Sequence, residues 1–337
     1  MSFVMEYPFR NLVFEGGGVK GIAYVGALEI LEEHKILKSI RRVGGTSAGA
    51  IVALLVGLGY SSCEIEQKLK EVDLKSFMDS DKGIFRDYFR IVSDGHGWCK
   101  GNKILKWIEE RIEEKGFDKD ITFGEIKEYS LKEMFFQGTN LSTYRVETFS
   151  PQHPECKEMK IKDAVRISMS IPLLFAAVKM NNCFYVDGGL LSNYPVRLFD
   201  RQKYVEQFSS EIPLYTQFNE SENFRHNDYI FNLETLGFRL DPKSNISIYS
   251  GQALPKKEHK IESLFDFTWS IVATLMETQN NVHLSSNDSE RTVYIDTLDV
   301  STIDFEITKE KQNELIQSGR EGTIRYLEKY NKDVFWR

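Results

Sequence analysis

Apolar runs that stop at glycines, each followed by apolar residues at helical spacing, dominate the amino-terminal part of the chain. Asn11-Leu12-Val13-Phe14 ends at Glu15-Gly16-Gly17-Gly18 and reads as a buried strand entering a turn. From Gly21 the period changes. Ile22, Val25, Leu28 and Leu31 recur at threes, with Glu32, Glu33 and Lys35 on the polar side, so a helix follows. Arg41-Arg42-Val43-Gly44-Gly45 approaches a second glycine turn, and residues 48–58 are continuously apolar, as in a core helix. Strand, glycine turn and helix thus alternate twice within about 50 residues, the pattern of an α/β fold with parallel strands.

Further along, Ile104, Leu105, Ile108 and Ile112 line one helix face opposite Glu109, Glu110, Glu113 and Lys115. Thr122 and Glu125 have capping-box spacing and place a helix start there. Residues 134–140 and 145–149 read as strands joined by a turn, and 161–168 as a short helix stopped by Pro172. Residues 183–186 form an apolar strand ending at Asp187-Gly188-Gly189, and Thr308 is placed to cap a final helix reaching Tyr330. No repeat or linker-like tract divides the chain. Residues 1–337 are therefore read as one domain, with a motif-bearing core at 11–200 and an extension at 201–337.

Composition narrows the classes of function. A chain of 337 residues, 41% hydrophobic, buries a substantial core. Lys and Arg number 43 against 50 Asp and Glu, a net charge of −7, which argues against a nucleic-acid partner. Cys63, Cys99, Cys156 and Cys183 lie far apart without a C-x-x-C pair, so neither zinc nor a disulfide framework is signalled. The first six residues lack the features of a secretory signal. Residues 43–63 carry no charge, but glycines interrupt them, and the apolar part suits a buried helix better than a membrane span. The expectation is a soluble, cytoplasmic protein.

Gly45-Thr46-Ser47-Ala48-Gly49 matches G-x-S-x-G, the nucleophile elbow, in the required context of a strand before and an apolar helix after. The helix start supplies unpaired N–H groups and a positive dipole end, both favourable to a developing anion. The bland alternative is a tight strand-to-helix turn with an incidental serine. Gly16, Gly18 and Gly21 also satisfy the dinucleotide fingerprint G-x-G-x-x-G. That reading needs an acid at the tip of the second strand, which instead ends in Gly45-Thr46-Ser47; Glu32 and Glu33 fall in the preceding helix. Successive glycines can equally offer backbone N–H groups to an oxyanion, and Lys20 either reinforces such a site or is a solvated lysine. Asp187 leaves an apolar strand where it could accept a serine proton, or it simply forms an Asp-Gly turn.

Taken in order, Glu15-Gly16-Gly17-Gly18-Val19-Lys20-Gly21, Gly45-Thr46-Ser47-Ala48-Gly49 and Asp187-Gly188-Gly189 resemble the patatin-like phospholipase family. Ser168-Met169-Ser170-Ile171-Pro172 with Phe175 is similar to that family's segment before its aspartate. The resemblance implies a three-layer α/β/α fold with a mainly parallel sheet and a serine–aspartate dyad without histidine. On this chain Ser47 becomes the nucleophile and Asp187 the base, with Gly16, Gly17 and Gly18 as the oxyanion hole and Lys20 and Ala48 in support. It further implies a phospholipase A-type enzyme cleaving acyl esters of phospholipids or lysophospholipids, without cofactor or metal. Transient membrane association, an unidentified activator and a translocated effector role are compatible with it.

Two rival readings are a nucleotide-binding protein using Gly16–Gly21 and a catalytically idle lipid- or partner-binding scaffold. His283 follows Ser47 and Asp187 in the order of a histidine triad, although its Asn-rich neighbours point to an exposed helix end; the other histidines form no recognisable constellation. Phe85, Tyr88 and Phe89 alternate with Lys82, Arg86 and Arg90, the mixture of a flap at a lipid boundary or of a packed amphipathic helix. Lys256, Lys257 and Lys260 could meet anionic headgroups or be solvated surface.

Overall fold

The computed structural model describes residues 7–72, 76, 99–205, 229–249, 261–262, 264–282 and 287–335. The aromatic segment 77–98, the lysines at 256, 257 and 260, and His96, His226, His259 and His283 lie outside the described residues.

Strands β1 (Asn11–Phe14), β2 (Arg42–Gly45), β3 (Glu133–Asn140), β4 (Arg145–Phe149), β5 (Val178–Met180), β6 (Cys183–Asp187), β7 (Thr235–Asp241) and β8 (Thr292–Asp296) form one sheet. Their order is β5-β6-β3-β2-β1-β7-β8, with β4 also paired to β3. From β3 to β8 along this order every neighbour is parallel; β4, β5 and β6 join antiparallel. This is the expected α/β architecture with a mainly parallel sheet. Strands from the extension, β7 and β8, continue the sheet beside β1.

Because a central parallel strand is covered on both faces, β1 has no polar alternation. Leu12 and Phe14 join the main core, where Phe14 stacks on Phe238 at 5.2 Å, while Val13 packs with Phe135, Phe199 and Tyr204 on the other side. Helix α1 (Tyr24–Glu33) follows β1, and α2 (Ala48–Gly57) follows β2 and packs on β1, β2 and β3. Helix α3 (Ser62–Glu71) starts with a full capping box between Ser61 and Glu64. Helices α4 (Asn102–Glu114), α5 (Ile161–Ser168), α6 (Lys243–Tyr249), α7 (Leu264–Val282) and α8 (Lys309–Phe335) complete the regular elements among the described residues.

Two expectations shift. The helix anticipated from Gly21 begins as a 3-10 turn over Gly18–Ala23 and becomes α-helical only at Tyr24. Gly18 has φ +56 and the Val19 N–H donates to the Thr302 carbonyl at 3.2 Å, so the first turn is held by tertiary contacts. At Thr122 the Glu125 carboxylate accepts from both the Thr122 N–H and hydroxyl at 2.8 Å, yet only a 3-10 turn, Glu125–Lys127, follows before β3.

Strand β1 sends the chain to β2 on one side, and β7 pairs on its other side. The strand order therefore reverses between β1 and β7, and the carboxyl end of β1, with that of β2 beside it, lies at this switch point, where open α/β sheets place their sites.

Candidate active site

The register pairs Phe14 with Gly45, which brings the glycine loop after β1 beside the elbow after β2. Ser47 has φ 55 and ψ −127, a conformation normally left to glycine. Close packing imposes it. A Cβ on Gly45 would lie 2.4 Å from the Gly49 carbonyl oxygen, and one on Gly49 would lie 2.3 Å from the Phe14 oxygen. The G-x-S-x-G spacing is thus a steric requirement of folding β2 back into α2. Local bonds fix the bend: Gly49 N–H donates to the Thr46 oxygen at 2.8 Å, and the Thr46 hydroxyl to the Ser192 oxygen at 2.9 Å. The Ser47 N–H donates to the Ser168 hydroxyl at 3.1 Å.

Asp187 closes β6 opposite Gly138 of β3. Its N–H donates to the Ser170 oxygen at 2.9 Å, and its Oδ1 accepts from the Gly189 N–H at 2.7 Å. Oδ2 is buried and closes no full hydrogen bond. Burial pushes the Asp187 carboxyl up from 3.8 to about 7; the Ser47 hydroxyl and the Gly189 N–H pull it part of the way back. The structure therefore brings Ser47 and Asp187 together, and both are almost wholly buried.

The glycine loop is pinned at both ends. Gly16 N–H donates to the Asn193 oxygen at 3.0 Å, and Val19 N–H is taken by Thr302. Gly16 is therefore unavailable as a donor to a ligand. Between these anchors the Gly17 and Gly18 N–H groups, like that of Ala48 at the start of α2, have no hydrogen-bond partner among the described residues. Asn193 also binds Glu15 Oε1 at 3.1 Å and the Gly16 oxygen at 3.2 Å through Nδ2, tying the loop to the Asp187 turn. Glu15 is buried at the end of β1, and its other oxygen accepts from Leu240 N–H at 2.7 Å. Burial raises the Glu15 carboxyl, and Arg239 opposes that rise. Lys20, half-buried, has its Cε 3.7 Å from where a Cβ on Gly17 would be, and its charge slightly opposes the rise of the Glu15 carboxyl.

Ser168, Ser170 and Asn193 buttress the dyad and the loop, but periodicity gives them no role. Their only signal is position, within Ser168–Pro172 and just after Asp187. An apolar cavity is lined by Gly18 of the glycine loop and Ala48, the neighbour of Ser47, together with Ile51, Ile104, Trp107 and Phe175. No acid stands at the tip of β2; Glu32 instead accepts from the N–H and hydroxyl of Ser62 at the start of α3. No three His, Cys, Asp or Glu side chains cluster as metal ligands among the described residues, and no helix there is long and apolar enough to cross a membrane.

The chain is 29% identical to an uncharacterized Bacillus subtilis protein, YqhO, over 94% of this chain and 98% of that one. It is 26% identical to a probable lipid hydrolase, 463L, of Invertebrate iridescent virus 6, over 72% and 82% of the two chains. Its fold is similar to VipD from Legionella pneumophila, with a TM-score of 0.56 and 16% identity, covering 96% of this chain and 67% of that one. The patatin-like phospholipase model matches residues 12–200, a stretch running from β1 past the Asp187 turn, and the chain belongs to that family.

Proposed function

We propose that the protein is a serine acyl hydrolase cleaving fatty-acyl esters of phospholipids or lysophospholipids through Ser47 and Asp187. One observation carries the reading: a serine strained into an elbow next to a buried carboxyl held near neutrality. An ordinary aspartate is too weak a base for a hydroxyl, and raising its pKa toward 7 improves the match while leaving about half of it ionised at neutral pH.

In the first step Asp187 takes the Ser47 proton as Oγ bonds to the acyl carbon. The carbonyl oxygen gains negative charge within reach of the Gly17, Gly18 and Ala48 N–H groups, which are already oriented and lack other partners among the described residues. Collapse breaks the ester C–O bond, and the leaving alcohol takes the proton from Asp187. Water then attacks the acyl-Ser47 ester, giving its proton to Asp187. The fatty acid leaves, and Ser47 recovers its hydrogen. The apolar cavity beside Gly18 and Ala48 takes the acyl chain.

Mixed phospholipid vesicles incubated with wild type should release fatty acid and lysolipid detectable by mass spectrometry, while Ser47→Ala releases neither. Equal release by both proteins would refute the reading.

The pH profile follows from the base. Asp187 must be ionised, so kcat/KM should rise with pH along a single limb with midpoint near 7 and fall about tenfold per unit below pH 6. Initial rates on a water-soluble short-chain ester would show it; a limb centred near 4 would mean an unperturbed carboxylate.

The loop makes a separate prediction. A Cβ at Gly18 would sit 2.1 Å from the Thr302 oxygen, and its φ is positive, so Gly18→Ala must displace the donor strip. Loss of an oxyanion donor lowers kcat about 100-fold with a smaller change in KM. A change confined to KM would reassign the loop to ground-state binding.

A further inference from the structure

Helix α7 is apolar on two sides. Its inner side carries the buried Val272 and also Trp269, which packs on the cluster of Cys99, Ile171, Leu174 and Phe175. Ile171 and Phe175 also line the apolar cavity. The helix packs against the turn Gly188–Leu190, and Met276 Cε lies 2.9 Å from where a Cβ on Gly189 would be, two residues after Asp187. Its inner side is therefore part of the wall around the site.

Its outer side carries Phe267, Ile271 and Leu275, exposed by 53%, 48% and 45%. Four-residue spacing stacks them along one face over about 12 Å. The other exposed positions with described side chains are Thr274 and Thr278, so none of these exposed positions is charged. The Thr274 hydroxyl donates to the Ser270 oxygen at 2.6 Å and the Thr278 hydroxyl to the Thr274 oxygen at 2.7 Å. Both hydroxyls are satisfied within the helix, so this face can lose water without orphaning a donor.

An exposed row of large apolar side chains calls for a covering medium. A stable protein partner needs about 800 Å² on each side and a polar rim offering hydrogen bonds. Three half-exposed side chains fall short of that area, and the threonine hydroxyls have no donor left to offer. A lipid surface asks for neither. Its acyl region provides no hydrogen-bond partners, so only groups satisfied internally enter it cheaply, and amphipathic helices settle at the headgroup–acyl boundary.

We propose that the outer face of α7, formed by Phe267, Ile271 and Leu275, is the surface by which this protein docks on a phospholipid layer, bringing the Asp187 turn, against which the helix packs, close to the acyl esters. The proposal rests on the lipid-hydrolase reading for the meaning of that placement, but not for the docking itself. Attraction is apolar, since a chain of net charge −7 gains nothing from an anionic surface. Binding is therefore insensitive to salt.

The test is flotation with phosphatidylcholine vesicles in low salt and in about 0.5 M NaCl, where the Debye length is about half its physiological value. Ser47→Ala serves as the parent so that the vesicles stay intact. Phe267→Gln/Ile271→Gln/Leu275→Gln in that background should weaken partitioning at least about 30-fold, and Leu275→Gln alone about threefold, at both salt concentrations. The same substitutions with Ser47 retained should leave hydrolysis of monomeric p-nitrophenyl butyrate within about twofold of wild type, since they touch neither the dyad nor the loop. Unchanged partitioning by the triple variant, or a parent that does not float, overturns the proposal. So does sedimentation showing that the substitutions dissolve a dimer while vesicle binding persists, which would assign the face to a second copy of the chain. If no ester is hydrolysed by wild type yet the triple variant stops floating, the docking face stands and the hydrolase reading falls.

Discussion

The Ser47→Ala protein is expected to lose ester hydrolysis by at least about 10⁴-fold while folding normally, because removing a nucleophile leaves only binding and oxyanion stabilisation. The bend is held by backbone contacts, namely Gly49 to Thr46 and Ser47 N–H to the Ser168 hydroxyl, none of which uses the Ser47 side chain. Alanine keeps a Cβ and therefore keeps the strain of φ 55. Glycine at this position is a different experiment. Ser47→Gly should be equally inactive, yet more stable than Ser47→Ala by about 1–2 kcal/mol, since the conformation costs a non-glycine residue about that much. Steady-state rates on a soluble ester and urea unfolding of all three proteins measure both effects. Residual turnover near wild type would remove Ser47 from the chemistry. Equal stability of the two variants would mean that the elbow stores no strain.

The elbow was legible because its causes are local. β1 and β2 are short apolar runs, α2 is continuously apolar, and the glycines at 45 and 49 stand where carbonyl oxygens leave no room for a Cβ. The same holds for α5, whose bounds, Ile161–Ser168, follow directly from apolar spacing and the break before Pro172. Strand β7 was not legible as a strand, for the opposite reason. It places Arg239 and Asp241 in a fully buried segment, which a search for apolar runs passes over. Their compensation comes from elsewhere: Arg239 pairs with Asp241 at 2.7 Å and lies between the rings of Tyr194 and Tyr294 at 5.6 and 5.7 Å. Within the glycine loop, spacing could not rank three successive glycines as donors. Asn193, far along the chain, occupies the N–H of Gly16 and leaves those of Gly17 and Gly18. Sequence thus conveys what neighbours in the chain decide, and misses charges and donors whose partners arrive through tertiary packing.

Asp187→Asn should separate function from stability, with opposite signs. Activity should fall at least about 10³-fold, because an amide cannot accept the Ser47 proton. Folding stability should rise, by an amount that depends on pH. In the unfolded chain the carboxyl ionises near 3.8, but burial delays this to about 7 in the folded protein. Between those values the folded state holds a proton that the unfolded state has lost, so wild-type stability declines as pH rises from about 4 to about 7 and then levels off. The full decline from this group is about 4 kcal/mol. The variant cannot ionise and escapes it, while its amide oxygen can still accept the Gly189 N–H that Oδ1 now receives. Near pH 4 the two proteins should therefore unfold at similar urea concentrations; by pH 8 the variant should be the more stable by several kcal/mol. A difference that does not change with pH would mean that Asp187 titrates as an ordinary carboxylate. The dyad would then lack a base poised for serine, and activity surviving in Asp187→Asn would move the search to His283. The predicted pattern, a dead enzyme that outlasts the living one by a margin that opens above about pH 4 and is complete near neutrality, would tie the burial of this carboxyl to catalysis, because packing alone would favour the amide.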